Sequence, residues 1–186
     1  GNFGIRLDKR QEREDIMTFI DTVRERLSPR HLSDFYVGYS IPQISKEFDL
    51  LRIGSNYILD IEIKHLSTRE KVRKQLIQNR HYLLALRPAV RLFSYVVSTG
   101  EIYFLDERAK DIRKATAEEL FRCIREQHVE KIDDIDRLFS PKQYLVSPVH
   151  SPEKFANQYY FLTNHQEEIK KDVLRAFAGP NIRCAL

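Results

Sequence analysis

Lys46-Glu47-Phe48-Asp49, followed across Gly54-Ser55-Asn56 by Asp60-Ile61-Glu62-Ile63-Lys64, reads as two adjacent antiparallel strands. Side chains alternate across a strand, so Leu59, Ile61 and Ile63 point into a core while Asp60, Glu62 and Lys64 share the other face. With Ser55-Asn56 as a two-residue hairpin loop, Asp49 falls opposite Glu62, within direct cross-strand reach. A three-residue Gly54-Ser55-Asn56 loop shifts that register by one. The same charge alternation also fits an ion-pair strip on a half-buried edge strand.

Two carboxylates at such a point suit Mg²⁺, a hard ion that takes oxygen ligands and keeps several waters, and the backbone carbonyl of Ile63 offers a further ligand. A lysine beside them can assist an attacking water and offset developing negative charge. The next segment, Ser67 to Leu86, reads as a helix in which Gln78 and Tyr82, four apart, share one side.

Asp49, then Glu62-Ile63-Lys64, then a helix carrying Gln78-Asn79-Arg80-His81-Tyr82, resembles the PD-(D/E)xK nuclease superfamily, in its branch with a Gln-x-x-x-Tyr motif. The resemblance spans roughly Arg10 to Asp106, and Phe48 stands where the family's eponymous proline would be. It implies an α/β (α+β) fold: a restriction-endonuclease-like core with a central mixed sheet flanked by helices, and a C-terminal helical extension. It also implies a Mg²⁺- or Mn²⁺-dependent nuclease that hydrolyses DNA phosphodiester bonds. Asp49 and Glu62 would hold the metal, Lys64 would serve the water, and Gln78 and Tyr82 would face the substrate. Members often add an acid from the first helix. Here Ile16, Phe19, Ile20, Val23 and Leu27 define that helix's core face, and one turn back it reaches Glu12, with Glu14 off to the side. Complementing the helix dipole is the competing role for Glu12.

The chain has 186 residues, 42% hydrophobic and 31% charged, with net charge +4. That composition fits one good core with appended structure. Arg69, Lys71, Arg73, Lys74 and Arg80, then Arg87 and Arg91, cluster after the second strand, as for a polyanion held by phosphate contacts. A solvated charged helix face has the same pattern. No apolar run approaches the ~20 residues that cross a bilayer, and the N-terminus shows no signal-peptide core, so a cytoplasmic location is expected. Cys123 and Cys184 have no metal-ligand spacing. His65 should point away from the Lys64 face, in a structural role.

Val90 to Val97 and Glu101 to Asp106 read as a second hairpin about Ser98-Thr99-Gly100. The nuclease core is therefore expected to occupy residues 1–109. Residues 110–160 form a helical extension opening at Thr116 and a connector with Pro141, Pro148 and Pro152, and residues 161–186 form the start of another domain. Phe161-Leu162-Thr163-Asn164-His165-Gln166 resembles the adenine-reading glutamine motif at the entrance to superfamily 1 helicase domains. An N-capped terminal helix explains it equally. The resemblance implies a downstream helicase domain in a longer DNA-processing or defence polypeptide. No phosphate-cradling loop follows, so ATP binding by this segment is not expected. The partners implied are DNA, with RNA as the alternative, that helicase domain, and a second copy of the chain, with no membrane. A nuclease-like fold that only binds nucleic acid, or oligomerises without cutting, is the competing class.

Overall fold

The computed structural model describes residues 7–42, 46–86, 89–106 and 111–139, together with Asp172 and Arg175. Helix α1 (Leu7–Arg24) leads through a 3-10 turn (Pro29–His31) to β1 (Tyr36–Ile41), β2 (Lys46–Arg52) and β3 (Ile58–Lys64). Helix α2 (Arg69–Leu84) follows, then β4 (Val90–Val96), β5 (Glu101–Asp106), β6 (Asp111–Ala115), α3 (Ala117–Glu126) and a second 3-10 turn (Ile135–Arg137). The fold is α+β, a six-stranded mixed sheet with three helices. The spatial order of the strands is their chain order. Every neighbouring pair is antiparallel except β3 and β4, which run parallel because α2 carries the chain back between them.

Helix starts are chemically marked. The Thr68 hydroxyl accepts from the Lys71 N–H, and Thr116 forms a reciprocal capping box with Glu119. The β4–β5 hairpin turns at Gly100, whose φ of +68° suits glycine.

Two apolar clusters lie on opposite faces of the sheet. Val72, Leu76 and Leu83 of α2 pack with Leu51, Ile58 and Leu92 on one face. Phe19 and Val23 of α1 pack with Leu120 and Ile124 of α3 and with Leu59, Ile61 and Ile63 on the other. This corrects the expected division of β3 into a core face and an open face, because a strand with a parallel neighbour and helices on both sides is buried throughout. Asp60 is fully buried and Glu62 is 1% exposed.

The β2–β3 connection is longer than a two-residue hairpin loop, since residues 53–57 leave the ladder. Ile53 is buried, and Gly54 bridges Val129, where a Cβ would lie 2.7 Å from Gln127 Cγ and 2.8 Å from the Tyr57 carbonyl. The register is nevertheless that of the two-residue loop: Leu50 pairs with Ile61, Leu51 with Asp60 and Arg52 with Leu59.

Strands β1 and β6 are both sheet edges with mixed exposure. Strand β6 pairs with β5, α3 enters one apolar cluster, and Phe139 enters the other. The sheet and its cores thus run past the boundary expected after residue 109. The proline-bearing connector and the helicase-like segment, Gln166 included, lie outside the described residues. Among the described residues, no helix is long and apolar enough to cross a membrane.

Candidate metal and nucleic-acid site

The β2–β3 ladder ends at Leu50 and Ile61, and continuing it one step sets Asp49 against Glu62. In place of a backbone bond there, Asp49 Oδ2 accepts the Ile63 N–H at 2.7 Å. Side-chain alternation slips at this position. Phe48 and Leu51, three apart, pack in the same cluster, as do Tyr36 and Tyr39 on the neighbouring strand. Gly38, which faces Asp49 in the β1–β2 register, takes φ +62° and permits the slip. A residue's N–H and C=O leave an extended strand on the same edge, so the Ile63 carbonyl shares the gap beside Asp49.

Lys64 closes the cluster. Its Nζ lies 3.2 Å from Asp49 Oδ2 and 2.9 Å from Glu62 Oε2. Exposure grades outward, with the Glu62 side chain 2% exposed, Asp49 20% and Lys64 33%. Behind them Asn79 Nδ2 donates to Glu62 Oε1 and to Asp60 Oδ2, both at 2.7 Å, and its own Oδ1 accepts from Gln75 Nε2 at 3.2 Å.

Burial and the Glu62 charge push Asp49 up to about 6, against the pull of Lys64 and the Ile63 N–H. Burial, and then Glu62, also raise Asp60 well above the usual carboxylate range. Burial opposes the charge on Glu62 as well, but Lys64 and Lys46 outweigh it and hold Glu62 low and ionised. Lys64 is desolvated, yet Glu62 and Asp49 raise it, which keeps it protonated at neutral pH. Lys46 is a second buried cation; its Nζ donates to the Glu47 carbonyl at 2.8 Å and burial lowers its pKa.

Two carboxylates rather than three converge, and among the described residues no group of three or more His, Cys, Asp or Glu is arranged to hold a metal ion. A divalent cation still fits the donors. Asp49 and Glu62 already close on one cationic nitrogen, the Ile63 carbonyl shares their gap, and Mg²⁺ completes its shell with water and phosphate oxygens. Asp60 Oδ1, buried behind them, has no hydrogen-bond partner among the described residues.

Asn79 was missed in sequence, although its signal was present: it falls in phase with Val72, Leu76 and Leu83 on the apolar stripe of α2. A buried amide there requires partners, and Asp60 and Glu62 are those partners. Gln78 is half-buried and lines a cavity of about 360 Å³ with Lys64, Lys71, Lys74 and Gln75. Leu66, 74% exposed, stands at the same cavity. Tyr82 does not share that position. It is 5% exposed among Leu76 and Leu83, with its hydroxyl pKa raised by burial.

Glu12 is exposed, and the acid that α1 turns inward is Asp15, 5% exposed, one turn before Phe19. Asp15 Oδ1 pairs with His65 Nδ1 at 3.0 Å and accepts from Gln11 Nε2. His65 therefore faces α1, away from Lys64, as alternation required.

The basic residues divide by role. Arg69 and Arg73 bond the two oxygens of Asp111 at 2.8 and 2.9 Å, tying α2 to β6. Arg80 is half-buried, with a buried Nε that has no hydrogen-bond partner among the described residues. Lys71 and Lys74 stand at the cavity beside Lys64. Comparison with protein-family models, curated proteins and solved structures finds no match for this chain.

Proposed function

We propose that the chain is a Mg²⁺- or Mn²⁺-dependent nuclease of the PD-(D/E)xK type that hydrolyses DNA phosphodiester bonds. The observation that carries this reading is the convergence of Asp49, Glu62 and Lys64 at the splayed end of β2 and β3, beside a cavity with three lysines at its walls. Asp49, Glu62 and the Ile63 carbonyl would hold the ion, which when bound supplies Lewis-acid activation of phosphate and water. Asn79 holds Glu62 in one orientation. Lys64, kept protonated by the two carboxylates, serves as a fixed cation for charge developing on the phosphoryl oxygens rather than as a base. Lys71 and Lys74 hold flanking phosphates, and Gln78 contacts the strand near the scissile bond.

One observation favours a second reading. Lys64 already satisfies both carboxylates, which is also how a non-cutting, nucleic-acid-binding relative of the fold would be stabilised. Incubation with linear, circular and single-stranded DNA and with RNA, in Mg²⁺, Mn²⁺ or EDTA, separates the two. The nuclease reading expects cleavage of DNA that EDTA, Glu62→Gln and Lys64→Ala each abolish. Binding without cleavage of any substrate in either metal overturns it in favour of the second, and preference for RNA corrects the substrate.

A further inference from the structure

A second cavity, about 470 Å³, lies on the other face of the sheet from Asp60 and Glu62. Its size is within the range of small-molecule sites. The register of β4, β5 and β6 builds its floor: Phe93 pairs with Phe104, and Phe104 with Arg113. The two rings meet with centroids 4.9 Å apart, and the Arg113 guanidinium lies over Phe104 at 5.1 Å. Glu119 of α3 holds that guanidinium at 2.7 Å. Bonding to Arg113 and to the Thr116 N–H keeps Glu119 ionised. The result is a braced cationic plane on an aromatic base, a surface on which a planar heterocycle stacks.

Two more guanidiniums line the cavity without a carboxylate partner among the described residues. Arg91 donates to the Val90 carbonyl and lies over Tyr57 at 5.5 Å, and Arg122 is exposed on α3. Asp106 is the second carboxylate on the wall; with Glu119 committed to Arg113, three guanidiniums still face two carboxylates, and the guanidinium fork matches phosphate oxygens.

We propose that this cavity binds a nucleoside phosphate, with the base stacked on Arg113 and the phosphate held by Arg91 and Arg122. The same chemistry is presented by a free mononucleotide and by the 5′-phosphorylated end of a nucleic-acid strand. The site does not depend on the Asp49-Glu62-Lys64 centre, so it is tested in the Lys64→Ala protein, where binding is read without cleavage.

Isothermal titration of the full chain with dAMP, inorganic phosphate, deoxyadenosine and a 5′-phosphorylated oligonucleotide reads the proposal. dAMP should bind more tightly than either of its halves. Arg122→Gln and Arg91→Gln should each weaken it by about tenfold, the effect of one charge-assisted hydrogen bond. Arg122 is exposed, so its substitution leaves the core untouched. Cys123 lines the cavity and supplies a local readout: in a Cys184→Ser background, dAMP should slow its alkylation. An oligonucleotide that outcompetes dAMP and loses that advantage in Arg122→Gln assigns the ligand to a strand end; the reverse order assigns it to a free nucleotide. Absence of dAMP binding, unchanged affinity in both arginine variants, or no protection of Cys123 overturns the proposal.

Discussion

Replacing Asp49 by Asn should stabilise the protein at alkaline pH in the absence of metal. In the folded chain, burial and Glu62 push the Asp49 carboxyl up to about 6 from its ordinary 3.8. The folded state therefore keeps a proton, between about pH 4 and pH 6, that the unfolded chain has released. Stability is greatest below that window and declines as pH rises through it. A gap of about two pH units corresponds to about 3 kcal/mol, at roughly 1.4 kcal/mol per unit. Asparagine retains an acceptor for the Ile63 N–H, and the pull of Lys64 is already contained in that net shift, so the expected gain at pH 8 is about 2–3 kcal/mol. Urea unfolding at several pH values in EDTA measures it. Asp49→Asn should exceed the wild type at pH 8, and the two should converge near pH 4. Added Mg²⁺ should then stabilise the wild type and not the variant, as preferential binding to the folded state requires. A variant less stable than the wild type at pH 8, or a gap independent of pH, refutes the crowded-carboxylate account.

Asn79→Ala removes both 2.7 Å bonds to Asp60 and Glu62 and should lower stability by about 2–4 kcal/mol, a fall in Tm of roughly 5–15 °C. Asn79→Asp should be worse at pH 8 than at pH 5, since it sets another carboxylate directly against Asp60 and Glu62; pH-independent melting would contradict that. Arg52 is fully buried and donates at 2.6 Å to Gln127, the His31 carbonyl and the Ile124 carbonyl. Arg52→Met should lose about 3–5 kcal/mol in chemical denaturation, because three acceptors lose their donor, and a loss below ~1 kcal/mol would show that they find other partners. For DNA binding, Lys71→Gln with Lys74→Gln should reduce the slope of log K against log salt by roughly 2. Arg69→Gln with Arg73→Gln should leave the slope unchanged and lower the Tm, because those side chains hold Asp111; the opposite pattern would reverse the assignment of the four residues.

Local chemistry made much of this molecule readable in its residues. Strand alternation grouped Asp60, Glu62 and Lys64 on one face and turned His65 the other way. Thr116 marked a helix start, Gly100 marked a turn, and a two-residue count gave the register that sets Asp49 against Glu62 even though the real loop is longer. Each of these depends on neighbours within a few positions, so the chain alone carries them.

Tertiary packing decided the rest, because burial and charge depend on segments far apart in sequence. Strand β3 is enclosed on both faces only because β4 runs parallel to it and helices cover both sides, and that enclosure raises the Asp60 pKa and gives Asn79 its partners. Tyr82 is 5% exposed, Asp15 rather than Glu12 turned inward, and Arg69 and Arg73 went to Asp111 for the same reason. Periodicity tells which side chains share a face. Only the assembled sheet determines which faces lose their water, and desolvation sets the charge states at the Asp49-Glu62-Lys64 cluster.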